Sequence, residues 1–136
     1  MTSRPEALYL TPYARSLGIE DADLEGRVVL SLDFGQHVEG RPSHLHGGAI
    51  SGLLETAGYA ALQRELEKEG RSGRLKPINI TVQFLRAGKT KASFAEARIV
   101  KLGRRTANLV VEAWQDEPDT PIATAVMNIM IVREKA

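Results

Sequence analysis

The chain contains no cysteine among its 136 residues. Disulfides, thiolate catalysis and cysteine-ligated zinc or iron–sulfur sites are therefore excluded. Histidine is scarce too, with three residues, and aromatics make up only 5%. No apolar run approaches the roughly 20 residues that cross a bilayer, so no membrane partner is expected. Nothing near Met1 resembles a signal peptide, and a cytoplasmic location is the expectation. What remains is ordinary for one globular domain spanning 1–136, with 43% hydrophobic and 26% charged residues.

The formal net charge of +1 is unevenly spread. From Arg86 to Arg105, seven basic residues stand against one acid, Glu96. Such a segment can hold an anion or simply protect an edge strand. It lacks the interleaved aromatics of a nucleic-acid surface, so no nucleic-acid partner is expected.

Along the chain, "RPEALYLTPYARSLGIED" carries Leu8, Tyr9 and Tyr13 at helical spacing and predicts a short N-terminal helix ending near Gly18, despite Pro12. "GRVVLSLDF" alternates as a first strand, and "GQHVEGRPSHL" reads as a loop. A long helix is predicted from about Gly48 to Lys68, because Ile50, Leu53, Leu54, Ala57 and Ala61 keep the i, i+3, i+4, i+7 pattern and Gly70 supplies a stop. Four β-like runs follow: "PINITVQFL", "KASFAEARIV", "TANLVVEAW" and "PIATAVMNIMIV". The breaks between them are short enough for hairpins. The expected architecture is α+β, an antiparallel five-stranded sheet wrapped around one long central helix.

One stretch stands out: "SHLHGGAISGLLETAGY", residues 43–59, where Glu55 is the only acidic or basic side chain from Gly47 to Gln63. Gly47, Gly48, Gly52 and Gly58 each cost a helix interior roughly 1 kcal/mol relative to alanine. Paired glycines at a helix start expose N–H groups where the macrodipole is positive, suiting a phosphate or an oxyanion. Close helix–sheet approach is the simpler account and suffices for Gly52 and Gly58. Glu55 projects near Ser51, Tyr59 and Leu62, on a second apolar face. An ionised carboxylate there needs a partner, a proton, or a wetted cleft in which a raised pKa suits base or nucleophile chemistry. A structural ion pair with a distant arginine and a functional carboxylate are both open on residue types alone.

"HLHGGAISGLLETAGYAAL" resembles the His-Gly-Gly segment, with a carboxylate eight residues after the first glycine, of hotdog-fold thioesterases of the phenylacetate-pathway and 4-hydroxybenzoyl-CoA type. The likeness extends to "INITVQFLRAGK" and "ARIVKLGRRTANLVVEAW", about two thirds of the chain. It implies a CoA thioester as substrate, no cofactor, no metal, and a homo-oligomer, dimer or dimer of dimers. By the same resemblance, the Gly47 N–H forms the oxyanion hole, Glu55 acts as general base or nucleophile, and His46 flanks the thioester carbonyl. Gly48 belongs to the same helix start, Asn79 and Thr81 would line the partner's pocket, and Lys101, Arg104 and Arg105 are the candidates for the CoA phosphates.

The chain departs from the family pattern at Gly40, where an Asn or Gln is usual; His44, His46 and Ser43 are the nearest substitute donors, and Gly40→Asn is expected to raise turnover if the backbone tolerates it. Two rivals follow. One is a non-catalytic acyl-CoA binding or sensing protein, favoured by the missing Asn. The other is a metal site built from His37, His44 and His46 with Glu39 or Glu55.

Overall fold

The computed structural model describes residues 9–22 and 24–133. Its elements run α1 (Pro12–Ser16), β1 (Ile19–Asp21), β2 (Val29–Leu32), a 3-10 turn (Gln36–Val38), α2 (Gly47–Lys68), β3 (Arg74–Phe84), β4 (Ser93–Leu102), β5 (Thr106–Trp114) and β6 (Ala123–Val132). All strand pairs are antiparallel, in the spatial order β1-β2-β4-β5-β6-β3.

The sheet thus has six strands rather than the expected five. The addition is β1, three residues that pair Ile19 with Leu32 and bury only Ile19. Two adjacent acids, Glu20 and Asp21, hide it from an alternation test. The N-terminal helix is shorter than its pattern suggested, and Leu8 lies outside the described residues. Pro12 opens this helix instead of opposing it, since its fixed φ and missing N–H suit the first helical position. Thr11 Oγ1 accepts from Ala14 N at 3.2 Å and caps it.

α2 begins one residue before its predicted start and ends where expected. Gly70, at φ 68°, lets Gly70 N donate to Glu67 O (3.0 Å) and Arg71 N to Leu66 O (2.8 Å), a double closure of the last turn. Leu53, Leu54, Ala57 and Leu62 of α2 are fully buried against a sheet face that presents Leu30, Leu32, Ala95, Leu109, Val111, Ala125, Met127 and Ile129. Burying each large aliphatic side chain is worth about 1.5–3 kcal/mol, so this contact dominates the fold's stability. Ala61 of the predicted stripe is only half-buried.

The two interior glycines serve different neighbours. A Cβ on Gly58 would come within 2.4 Å of Met127 Sδ, so this one does admit the sheet. At Gly52 the near atoms are Leu17 Cδ1 (2.7 Å) and Tyr13 Cε2 (3.2 Å): that glycine seats the chain around α1, not the sheet.

β3 follows α2 but lies at the far edge, paired only with β6. Ile78, Phe84 and Leu85, in and just beyond it, are 48%, 56% and 50% exposed. No helix among the described residues is long and apolar enough to cross a membrane.

Candidate active site

The approach to α2 is a tight, well-bonded loop. Ser43 adopts a left-handed conformation (φ 66°), and the Glu39 carboxylate holds it by accepting from Ser43 N at 2.8 Å. Gly40 N donates to His44 O (2.9 Å), His46 N to Val38 O (2.8 Å) and Leu45 N to Gly88 O (2.9 Å). The last bond ties this loop to the one after β3.

His46 is the N-cap of α2. Its Nδ1 accepts from Gly48 N at 2.8 Å, while its carbonyl accepts from Ala49 N (3.0 Å) and Ile50 N (3.1 Å). Of the four N–H groups that a helix start leaves unpaired, those of Gly48 and Ala49 are satisfied by His46, and that of His46 itself by Val38 O. The fourth, Gly47 N–H, has no hydrogen-bond partner among the described residues. Gly48 is a glycine for a reason visible here: a Cβ would lie 2.9 Å from both Cε1 and Nδ1 of the capping ring.

Gly47 borders a cavity of about 510 Å³ whose wall also includes Arg41, His44, His46, Phe84 and Arg86. No acidic residue lines it among the described residues. Arg86 is steered by Nη1 donating to Pro121 O at 3.1 Å. Two guanidinium groups and an exposed helix N-terminus make this an anion-attracting concavity, with the unpaired Gly47 N–H at the positive end of the helix.

Glu55 lies two turns further along α2. Gly47, Ser51, Glu55 and Tyr59 form a half-open stripe, flanked by buried residues from Ser51 onward. No cation approaches Glu55 within ion-pair distance among the described residues, so the structural ion pair is not what holds it. Burial pushes its carboxyl above the usual carboxylate range. Tyr59 is pushed up to about 12, first by burial and then by the negative charge of Glu55. Eight residues separate Gly47 from Glu55, about 12 Å along the axis, too far for both to touch one carbonyl group.

The structure brings together His46, Gly47 and Gly48 but not the other sequence candidates. Asn79 pairs in register with Asn128, whose Nδ2 donates to Asn79 Oδ1 at 2.7 Å, and Thr81 pairs with the exposed Val126. Both therefore project from the sheet face opposite α2, whereas Ile80, Val82 and Phe84 share the helix side. Lys101, Arg104 and Arg105 flank the β4–β5 turn. There Arg71 Nη2 donates to Gly103 O and Arg104 O, both at 3.0 Å, fixing the turn beside the C-terminal end of α2. They are at the opposite end of a helix about 33 Å long from Gly47.

The three histidines do not gather. His37 Nε2 donates to Leu17 O (3.1 Å) and His44 Nδ1 to Pro42 O (2.9 Å), and among the described residues no group of three His, Asp or Glu side chains converges as metal ligands would. Arg41 and Phe84 went unnoticed in the sequence, and Arg86 was one of seven basic residues with nothing to single it out. The Leu45–Gly88 backbone bond that assembles their wall has no sequence signature.

Residues 38–130 match the family model described as the acyl-CoA thioesterase N-terminal domain. Among solved structures, a phenylacetic acid degradation-related protein from Ralstonia eutropha JMP134 is 25% identical, covering 89% of this chain and 91% of its own, with a TM-score of 0.73. A Chromobacterium violaceum protein is 30% identical over 91% of this chain and 85% of its own, with a TM-score of 0.72. A Bacillus halodurans protein solved with CoA is 22% identical over 94% of this chain and 83% of its own, with a TM-score of 0.82. No curated relative matches the chain.

Proposed function

The chain belongs to the acyl-CoA thioesterase family and is a thioester hydrolase of the hotdog fold; we propose that it hydrolyses acyl-CoA at a site shared by two copies, the Gly47 N–H of one and the Glu55 of the other acting on the same carbonyl. The observation that carries this reading is the half-open stripe of Gly47, Ser51, Glu55 and Tyr59. Its donor and its carboxylate cannot meet within one chain. Two α2 helices packed antiparallel about a two-fold axis near Ser51 bring each Gly47 opposite the partner's Glu55.

The exposed edge of β3 supplies the means of pairing. Joining two such edges continues the sheet, covers Ile78, Phe84 and Leu85, and lays the two helices side by side. In that dimer the C-terminal end of each helix runs about 20 Å past Glu55, and so beyond the partner's Gly47. Lys101, Arg104 and Arg105 then stand where the phosphates of a CoA bound at the partner's site would lie. Arg41 and Arg86 flank the cavity itself.

The chemistry follows from these parts. The thioester carbonyl oxygen takes the Gly47 N–H, at the positive end of α2, and gains most from it as charge develops in the tetrahedral intermediate. Glu55, its pKa raised by burial, is a stronger base than an exposed carboxylate and activates water or attacks directly. No cofactor beyond the CoA thioester takes part in this scheme, and the setting is cytoplasmic.

Subunit mixing tests it. Gly47→Pro removes the N–H at a position proline suits, with ordinary room beside Phe84 at 3.5 Å. Gly47→Pro and Glu55→Gln should each be inactive as pure dimers. Denatured, mixed and refolded together, they should regain about a quarter of wild-type activity, because half the dimers then hold one intact site. No recovery in verified heterodimers would place both groups in one chain and end the shared-site reading. A wild type that binds acyl-CoA without releasing thiol would instead favour the sensing role that the missing side chain at Gly40 suggested.

A further inference from the structure

His44 and His46 line the same cavity in opposite tautomers. Gly48 N–H can only donate, so Nδ1 of His46 is bare and the neutral ring carries its proton on Nε2. The Pro42 carbonyl can only accept, so Nδ1 of His44 carries the proton. Nε2 of His44, across the ring, keeps a lone pair and has no partner among the described residues.

The remaining polar side chains on the wall are Arg41, Arg86 and the Nε2–H of His46, and all are donors. Gly40 contributes no side chain. His44 Nε2 is consequently the one side-chain acceptor that the described residues of this chain bring to a cavity that also holds the unpaired Gly47 N–H. A hydrolytic water with one proton directed at the partner's Glu55 needs a second acceptor to fix its orientation, and of the side chains on this wall only His44 offers one.

We propose that His44 Nε2 binds and orients the hydrolytic water, doing from position 44 what the bare Gly40 cannot. The sequence pointed to His44 as a substitute donor; its bond to Pro42 makes it an acceptor instead. The inference rests on thioester hydrolysis as proposed above. The water oxygen bonds to the thioester carbon while one of its protons passes to the partner's Glu55. The second proton stays on that oxygen, hydrogen-bonded to His44 Nε2. When the carbon–sulfur bond breaks, sulfur leaves with the electron pair and takes the proton held by Glu55.

The test compares full-length wild type with His44→Phe, which keeps a ring but no acceptor, and His44→Gln, which restores one. Thiol release is followed over a panel of acyl-CoA esters, and circular dichroism and melting confirm the fold of each variant. His44→Phe should lower kcat roughly 10²-fold, the scale of losing one preorganised hydrogen bond at the reacting centre. KM should stay within about twofold, the mark of a contact made chiefly in the transition state. His44→Gln should recover most of the loss, because its amide oxygen again offers an acceptor.

An unchanged kcat in folded His44→Phe overturns the proposal. So does a loss confined to KM, or a folded His44→Gln as slow as His44→Phe. If His44→Phe does not fold, His44→Ala against His44→Gln makes the same comparison. A wild type inactive on the whole panel overturns thioester hydrolysis itself and this inference with it, an outcome distinct from an active enzyme indifferent to His44.

Discussion

A carboxylate held half-buried without a cation costs the folded chain something, and Glu55 allows the sign to be worked out. Its pKa is raised on folding, so the folded state binds the proton more tightly than the unfolded one. Stability is thus greatest below the ordinary carboxylate range near about pH 4 and declines as pH rises from there through the raised value. At neutral pH the full penalty applies. Glu55→Gln should therefore raise Tm near pH 7 relative to wild type and lose that advantage near pH 4, while lowering kcat by about 10²–10⁴-fold. Melting at the two pH values and steady-state kinetics check both halves. The same substitution removes the charge beside Tyr59 and should bring its titration down from about 12, though not to an exposed value, because burial is the larger cause. Glu55 and Gly47 were legible in the sequence because an isolated charge and a glycine pair are local signals. Gly40 was legible as a departure but not as a packing site. A Cβ there would sit 3.1 Å from His46 Cα, so Gly40→Asn pushes on the α2 cap and should cost stability rather than raise turnover, measurable as a lower Tm.

At the level of elements, the start of α2 is the part whose geometry matters most, and its integrity depends on one ring. Gly48→Ala would force the His46 imidazole away from Gly48 N–H, since the new Cβ meets the ring at 2.9 Å. Losing such a cap costs roughly 1 kcal/mol, so denaturant titration should show a reduced midpoint with an unchanged slope. The edge strand β3 gives a second test. Ile78, at the register shift between Pro77 and Asn79, is half exposed. Ile78→Asp should yield a folded monomer by sedimentation, and with it the loss of thiol release. Helix α2 could be read to within a residue because glycine pairs and a left-handed stop bracket its periodic run. β1 could not, because three residues held by pairing with β2 carry no pattern of their own. The face on which Asn79 and Thr81 emerge depends on register with β6, which strand periodicity alone leaves undetermined.

On the scale of the whole molecule, the sequence showed where charge accumulates but not what it stands beside. The hairpin bearing Lys101, Arg104 and Arg105 sits at the far end of α2 from Gly47, and in the dimer proposed above it would reach the partner's site. Arg104→Glu with Arg105→Glu should then raise KM for acyl-CoA severalfold at low salt with kcat unchanged, the difference shrinking as ionic strength rises. An unchanged KM would remove the hairpin from substrate binding. The strand order has a further consequence, for how the chain reaches this shape. β3 emerges directly after α2, yet its neighbour in the sheet is β6, with Arg74 facing Val132. During synthesis every element through β5 can settle while β3, with its apolar edge, waits for the C-terminal stretch to leave the ribosome. Completion of the sheet thus waits on this one strand pair, and the strand that ends at the cavity wall with Phe84 is among the last to be fixed. A nascent chain stalled before Ala123 should be captured by chaperones and cleaved by protease within β3, whereas release of the full chain should protect β3 and create the cavity in the same step.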